Sequence, residues 1–212
     1  LDIEREGFHV LVAGARLGKG RFTLTKKIGQ GGMGEVWRAN DEESGHTVAL
    51  KLLPQEMSSD DSALRDLERE TVKTQNLNHP NIVQVGGVWH IDGEPAFLTL
   101  EFIEGTDLDA LRSEAPGKLL PWASVKHYLL QVCDALEYAH EKRIAHRDIK
   151  PSNLLVGRSG QVKLADFGIA ASIANTAGTL TADVIGAGTP FYMSPQQIVG
   201  KSPQAADDIY SL

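Results

Sequence analysis

His146-Arg147-Asp148-Ile149-Lys150-Pro151-Ser152-Asn153 sets one acid, two cations and an amide within eight residues. Proline lacks an N–H and has a fixed φ, so Pro151 stops a regular helix from running through the stretch. What remains is a fixed loop with reactive groups at its two ends. Asp148 suits acceptance of a proton from a hydroxyl, and Asn153 suits a metal ion held beside a phosphate. An isolated Asp in polar company reads better as a solvated turn after a helix. The rest of the chain has to decide between the two readings.

Composition narrows the field first. The chain has 212 residues, long enough for one large domain or two small lobes, and 42% hydrophobic with 23% charged residues is the balance of a globular protein. Lys and Arg number 21 against 28 Asp and Glu, a net charge of -7, which argues against a general nucleic-acid binder. One cysteine, Cys133, excludes an internal disulfide and fits a reducing, cytoplasmic setting. It falls in an apolar helical stretch and reads as a small core residue rather than a nucleophile. No apolar run reaches the roughly 18 residues of a membrane span, and the chain begins at Leu1 rather than Met.

Upstream, Gly14-Ala15-Arg16-Leu17-Gly18-Lys19-Gly20 fails as a phosphate loop of the Walker type, because a spacer is missing and Gly20 stands where a hydroxyl belongs. Residues 1–21 read as a linker or N-terminal extension before a first strand near Phe22-Leu24. Ile28-Gly29-Gln30-Gly31-Gly32-Met33-Gly34-Glu35-Val36 then carries G-x-G-x-x-G-x-V between strand-like runs. Backbone without Cβ atoms can approach phosphates closely. A dinucleotide-binding reading needs a helix straight after the loop; Val36-Trp37-Arg38-Ala39 continues instead as strand. A second strand ends in Val48-Ala49-Leu50-Lys51.

A helix is expected over residues 59–77, with Ala63, Leu67, Thr74 and Leu77 on one face and Glu70 at its middle. An acid on an inward face needs a cation, and Lys51 is the available one; Glu68 lies on a different face, flanked by Leu64 and Val72. Strands follow around Asp92-Gly93, then a short helix capped by Thr106. A longer helix opens at Pro121, with Val125, Leu129, Val132, Leu136 and Ala139 as its core stripe. Leu154-Leu155-Val156 and Val162-Lys163-Leu164 form a hairpin that leads into Asp166-Phe167-Gly168.

Together H-R-D-x-x-x-x-N, the glycine loop, V-A-L-K and D-F-G resemble the eukaryotic-type (Hanks-type) Ser/Thr protein kinases. Gly-Gly-Met-Gly, Lys-Pro-Ser-Asn and Asp-Asp-Ile-Tyr-Ser-Leu resemble bacterial members in particular. The resemblance implies an α+β, bilobal protein-kinase-like fold: a β-rich N-lobe over 22–101 and a helical C-lobe over 102–212, broken off in its central helix. It implies an ATP site built from Ile28, Gly29, Gln30, Gly31, Gly32, Met33, Gly34, Val36, Ala49 and Lys51. Leu100, the Glu101 carbonyl, the Ile103 amide and Leu155 would complete it around adenine. Asn153 and Asp166 would hold Mg2+, Asp148 and Lys150 would serve phosphoryl transfer, and Lys51 would pair with Glu70. Thr179 and Thr181 are expected as autophosphorylation sites read by Arg147, and Thr189 as a contact of Asp148 and Lys150 near the substrate. The expected partner is a protein with a Ser or Thr acceptor, and a dimer would allow autophosphorylation between copies. Pro195-Gln196 departs from the usual Pro-Glu and loses that glutamate's tether. A nucleotide-binding pseudokinase scaffold or an inactive fragment is the alternative. A kinase domain cut at Leu212 is expected to be unstable and nearly inactive by itself.

Overall fold

The computed structural model describes residues 11–31, 34–167 and 190–212. Gly32, Met33, Gly168, Thr179, Thr181 and Thr189 lie outside the described residues. A six-stranded antiparallel sheet is built from β1 (Arg16–Leu17), β2 (Phe22–Gly31), β3 (Gly34–Asp41), β4 (Thr47–Leu52), β5 (Val85–Trp89) and β6 (Phe97–Glu101), in the order β1-β2-β3-β4-β6-β5. Against it lie a single turn, α1 (Gln55–Ser58), and the longer α2 (Asp61–Gln75). A second sheet of three strands, β7 (Gly105–Asp107), β8 (Leu154–Gly157) and β9 (Val162–Leu164), joins α3 (Leu108–Glu114), α4 (Trp122–Glu141), α5 (Pro195–Ile198) and α6 (Ala205–Ser211).

The period-two geometry of strands divides the first sheet into two apolar layers. Val48, Leu50 and Leu52 of β4 join Phe22, Leu24, Trp37 and Phe97 on one side, where the Phe22 ring meets Trp89 and Phe97 edge-on at 5.0 and 5.7 Å. Ala49 of β4 and Ala96, Leu98 and Leu100 at β6 face the other way, onto Ala63, Leu64 and Leu67 of α2. Lys51 shares the parity of Ala49, so the alternation that buries Leu50 also turns this ammonium toward the cleft. A third cluster fills the larger lobe, from Val132, Ala135, Leu136 and Ala139 of α4 to Ile149, Leu154, Leu164 and Phe167.

Several expected boundaries move. Arg16–Leu17, placed in the linker by sequence, is a strand paired with Phe22 and Thr23, because Leu17 has an aromatic layer to enter. The helix expected over 59–77 is the shorter α2, Asp61–Gln75, capped by Asp60 through Ser62 N and Ala63 N, with the separate turn α1 lying before it. Asp107, rather than Thr106, caps α3 by accepting from Ala110 N. Cys133 is exposed: at 100° per residue it lies about 110° round α4 from the centre of the buried Val132, Ala135, Leu136 and Ala139 stripe. Val125 and Leu129 of the expected stripe are only half-buried. Among the described residues no helix is long and apolar enough to cross a membrane.

Candidate active site

Between the two sheets, residues far apart in sequence meet in one apolar cluster. Val36 and Ala49 come from the first sheet, Leu100 from the end of β6, Phe102 and Ile103 from the connection between lobes, and Leu155 and Ala165 from the other lobe. Five of these, Val36, Ala49, Leu100, Ile103 and Leu155, are positions that the resemblance placed around adenine, Ile103 through its backbone amide. Ile28 stands at the edge, 45% exposed. The described part of the glycine loop is a hairpin end, with Gly29 paired to Val36 and Gly31 to Gly34. Gln30 accepts from Lys27 Nζ at 2.8 Å. Gly34 has φ +106°, and a Cβ there would stand 2.1 Å from the Leu52 carbonyl oxygen, so the loop crosses β4 too closely for any side chain.

Lys51 is 5% exposed and its Nζ lies 2.7 Å from Asp166 Oδ2. Asp166 sits in the left-handed region at φ +65°, a conformation that Asp tolerates better than most side chains. Burial pushes its carboxyl up, but the charge and hydrogen bond of Lys51, with Lys150 behind, outweigh that and hold it below the usual carboxylate range. It is therefore an anion, the form in which a carboxylate ligates magnesium.

Asp148 Oδ2 lies 2.8 Å from Lys150 Nζ and accepts from Asn153 Nδ2 at 2.9 Å. The same Asn153 amide donates to the Asp148 carbonyl at 2.7 Å, leaving Oδ1 as its donor atom to a cation. Ala165 N donates to the Asn153 carbonyl at 2.9 Å, which sets Asn153 beside the strand end that carries Asp166. Hard oxygen donors from one amide and one carboxylate suit magnesium, which keeps several waters and phosphate oxygens for its remaining positions.

Beneath this surface the loop is fixed by buried polar groups. Asp208 of α6, 1% exposed, accepts from His146 N and Arg147 N, both at 2.8 Å, and its Oδ2 lies 2.7 Å from His140 Nε2. The His146 ring, fully buried against Phe167 with centroids 4.5 Å apart, accepts from Asp148 N through Nδ1 at 3.2 Å. That assigns its proton to Nε2, which donates to the Ala165 carbonyl at 2.7 Å. Burial, stronger than the surrounding carboxylates, lowers the His146 pKa and keeps the ring neutral. Arg147 takes φ +74°, and its Nε is buried without a partner among the described residues.

The expected pair of Glu70 with Lys51 is not formed. Glu70 Oε1 instead meets Lys73 Nζ at 2.6 Å, on the same helix. The cause lies in which face α2 buries: Ala63, Leu64, Leu67, Thr71 and Thr74. Glu70 lies about 70° from the centre of that face at 100° per residue. Leu64 and Thr71 rotate the stripe away from the axis that Ala63, Thr74 and Leu77 suggested, and Leu77 lies beyond the helix end.

Sequence reasoning missed several connecting residues. Lys163 Nζ meets Glu101 Oε2 at 2.9 Å and donates to the Ile82 carbonyl at 3.3 Å, while Glu101 Oε2 also accepts from Gln84 N at 3.1 Å. His140 touches Asp208, the anchor of the 146–153 loop, and Gln197 touches Arg147 within it, from 68 and 50 residues away. No local signal marks them, since each bond exists only once the elements have packed. Gln196, where the usual glutamate is replaced, is exposed and makes no side-chain tether among the described residues.

Known proteins are similar to this chain. The family described as the protein kinase domain matches residues 22–212. A probable serine/threonine-protein kinase of Streptomyces coelicolor is 39% identical over 199 residues, covering 92% of this chain and 29% of that protein. The serine/threonine-protein kinase PknA of Mycobacterium tuberculosis is 38% identical over 200 residues, covering 91% of this chain and 45% of its own length. The chain thus spans less than half of these curated relatives. Among solved structures, the M. tuberculosis PknI kinase domain superposes with a TM-score of 0.76 at 28% identity, over 95% of this chain and 72% of that one. A lysine on β4, an acid at the end of the β8–β9 hairpin and a carboxylate–lysine–amide loop between them, matched over 22–212, place the chain in the protein kinase domain family, with bacterial Ser/Thr kinases among its relatives.

Proposed function

We propose that this chain carries the catalytic site of an ATP-dependent serine/threonine protein kinase. The observation that carries the reading is the Asp148–Lys150–Asn153 cluster lying in one cleft with Lys51 and Asp166. When bound, Mg-ATP supplies the γ-phosphoryl group and the charge that the site must neutralise. The chain's own residues do the rest. Val36, Ala49, Leu100 and Leu155 would enclose the adenine, and the Glu101 carbonyl and the Ile103 amide would hold its edge. Lys51 would hold the α- and β-phosphates, and Asp166 and Asn153 would hold the magnesium ion. Asp148 orients the acceptor hydroxyl and receives its proton. Lys150, 2.8 Å from that carboxylate, stabilises charge on the transferred group.

Lys150 two residues after Asp148 supports a serine or threonine acceptor on a protein substrate, as do the relatives' names. Asp148→Asn keeps the shape and the bond from Asn153 while removing the proton acceptor. Phosphoryl transfer to a generic Ser/Thr substrate is expected to fall on the order of a hundredfold or more, with nucleotide binding retained. Undiminished transfer by that variant would refute the assignment.

A further inference from the structure

We infer that Gln197 is a positioning residue for Asp148, holding from α5 the peptide that precedes that aspartate. The inference deepens the kinase reading above and rests on it for its catalytic consequence. Arg147, a residue with a side chain, sits at φ +74°, where such residues are disfavoured and need restraint from both sides. Its N–H is held by Asp208 Oδ1 at 2.8 Å. Its carbonyl accepts from Gln197 Nε2 at 2.9 Å. On the opposite edge of the same peptide, Asp148 N donates to His146 Nδ1. Remove Gln197, and this peptide keeps a bond on one edge only. A rotation of that plane swings the Asp148 carboxylate directly.

Gln197 does two things at once, because its primary amide carries both an acceptor and a donor. Its Oε1 accepts from Ser194 N at 2.9 Å, one half of the capping box that starts α5. Ser194 Oγ accepts from Gln197 N at 3.1 Å and lies 2.5 Å from Asp207 Oδ1. Asp207 adjoins Asp208 on α6, so a closed ring runs Asp208–Arg147–Gln197–Ser194–Asp207. The ring joins the catalytic loop to the segment just after Pro190–Tyr192. It supplies a tether at the position next to Gln196, where the usual acidic one is missing.

Glutamate separates the two roles. In Gln197→Glu the carboxylate still accepts from Ser194 N, preserving the cap, but it has nothing to donate to the Arg147 carbonyl. In Gln197→Ala both bonds are lost. The test compares wild type, both variants and Asp148→Asn in unfolding temperature, in amide exchange of the peptide spanning 145–150, and in kcat and KM for ATP. Gln197→Glu is expected to unfold within about 2 °C of wild type, to exchange at Arg147 and Asp148 at least about tenfold faster, and to lose about tenfold or more in kcat with KM for ATP unchanged. Gln197→Ala is expected to add a lower unfolding temperature. Wild-type exchange in Gln197→Glu overturns the inference, and so does a kcat loss matched by loss of folded protein. Absence of transfer by the full-length wild-type protein would instead overturn the kinase reading, leaving exchange to decide the role of Gln197.

Discussion

Asp208→Asn is the sharpest test of how the 146–153 loop is held. The wild-type carboxylate accepts three N–H groups within 2.7–2.8 Å, at a site 1% exposed. An asparagine of the same shape has one acceptor oxygen. Its better orientation keeps that oxygen where Oδ2 serves His146 N and His140 Nε2, and turns the NH₂ against the Arg147 N–H. One hydrogen bond to a charged group, about 1.5–3 kcal/mol, is then lost, and a buried donor faces another donor. Allowing for partial relaxation, the loss is about 2–4 kcal/mol, a large share of the roughly 5–15 kcal/mol that holds a domain folded. At roughly 2–4 °C per kcal/mol for a chain of this size, unfolding should drop by roughly 5–15 °C. Asp208→Ala leaves all three donors without a partner and should cost more. Urea and thermal unfolding of both variants, with amide exchange of the loop, measure this. An Asp208→Asn protein within about 0.5 kcal/mol of wild type, the ordinary scatter of surface substitutions, would show that the loop does not depend on this anchor.

Two further outcomes follow from the charges around the cleft. Lys73→Met removes the partner that Glu70 now has, at a cost within the 0–1 kcal/mol of an exposed pair. It should raise turnover by about twofold or more by freeing Glu70 for Lys51, and unchanged turnover with an unchanged Lys51 environment would argue that Lys73 does not compete. His146 has a folded pKa below its ordinary 6.5, so the unfolded chain binds the extra proton. Its contribution to stability is therefore complete above about pH 6.5 and is lost as pH falls from there toward the lower folded value. Unfolding temperature should decline across that window, and His146→Gln, neutral throughout, should flatten the decline.

What could be read from the sequence follows the range of the forces involved. The groups of residues 146–153 sit together because the chain between them is short, so their order already describes their geometry. Strand parity needs only neighbouring residues, which is why the shared face of Ala49 and Lys51 was visible in Val48-Ala49-Leu50-Lys51. Glu70 required the rotation of α2 about its own axis. Two residues that look unremarkable in sequence, Leu64 and Thr71, settle that rotation by being buried. Leu17 was illegible for a similar reason, since its place depends on an aromatic layer assembled from Phe22, Trp89 and Phe97. Glu94 then fixes the turn beyond it, accepting from Gly18 N and Lys19 N at 2.6 and 3.1 Å.

The link through Lys163 belongs to a second line of attachment between the lobes, separate from the chain that leaves β6. Val83 N donates to the Leu164 carbonyl and Leu164 N to the Asn81 carbonyl, making a parallel bridge of Ile82 and Leu164. Asn81 Nδ2 adds bonds to the Val162 carbonyl and to Gln131 of α4. A body joined to another at one point can tilt and twist in any direction. Joined at two, like a door on a pair of pins, it keeps one easy motion, rotation about the line through both. For this protein that line runs from Phe102 to Ile82. The cleft can therefore widen or close, but shearing the Lys51 ammonium sideways past Asp166 requires breaking backbone hydrogen bonds.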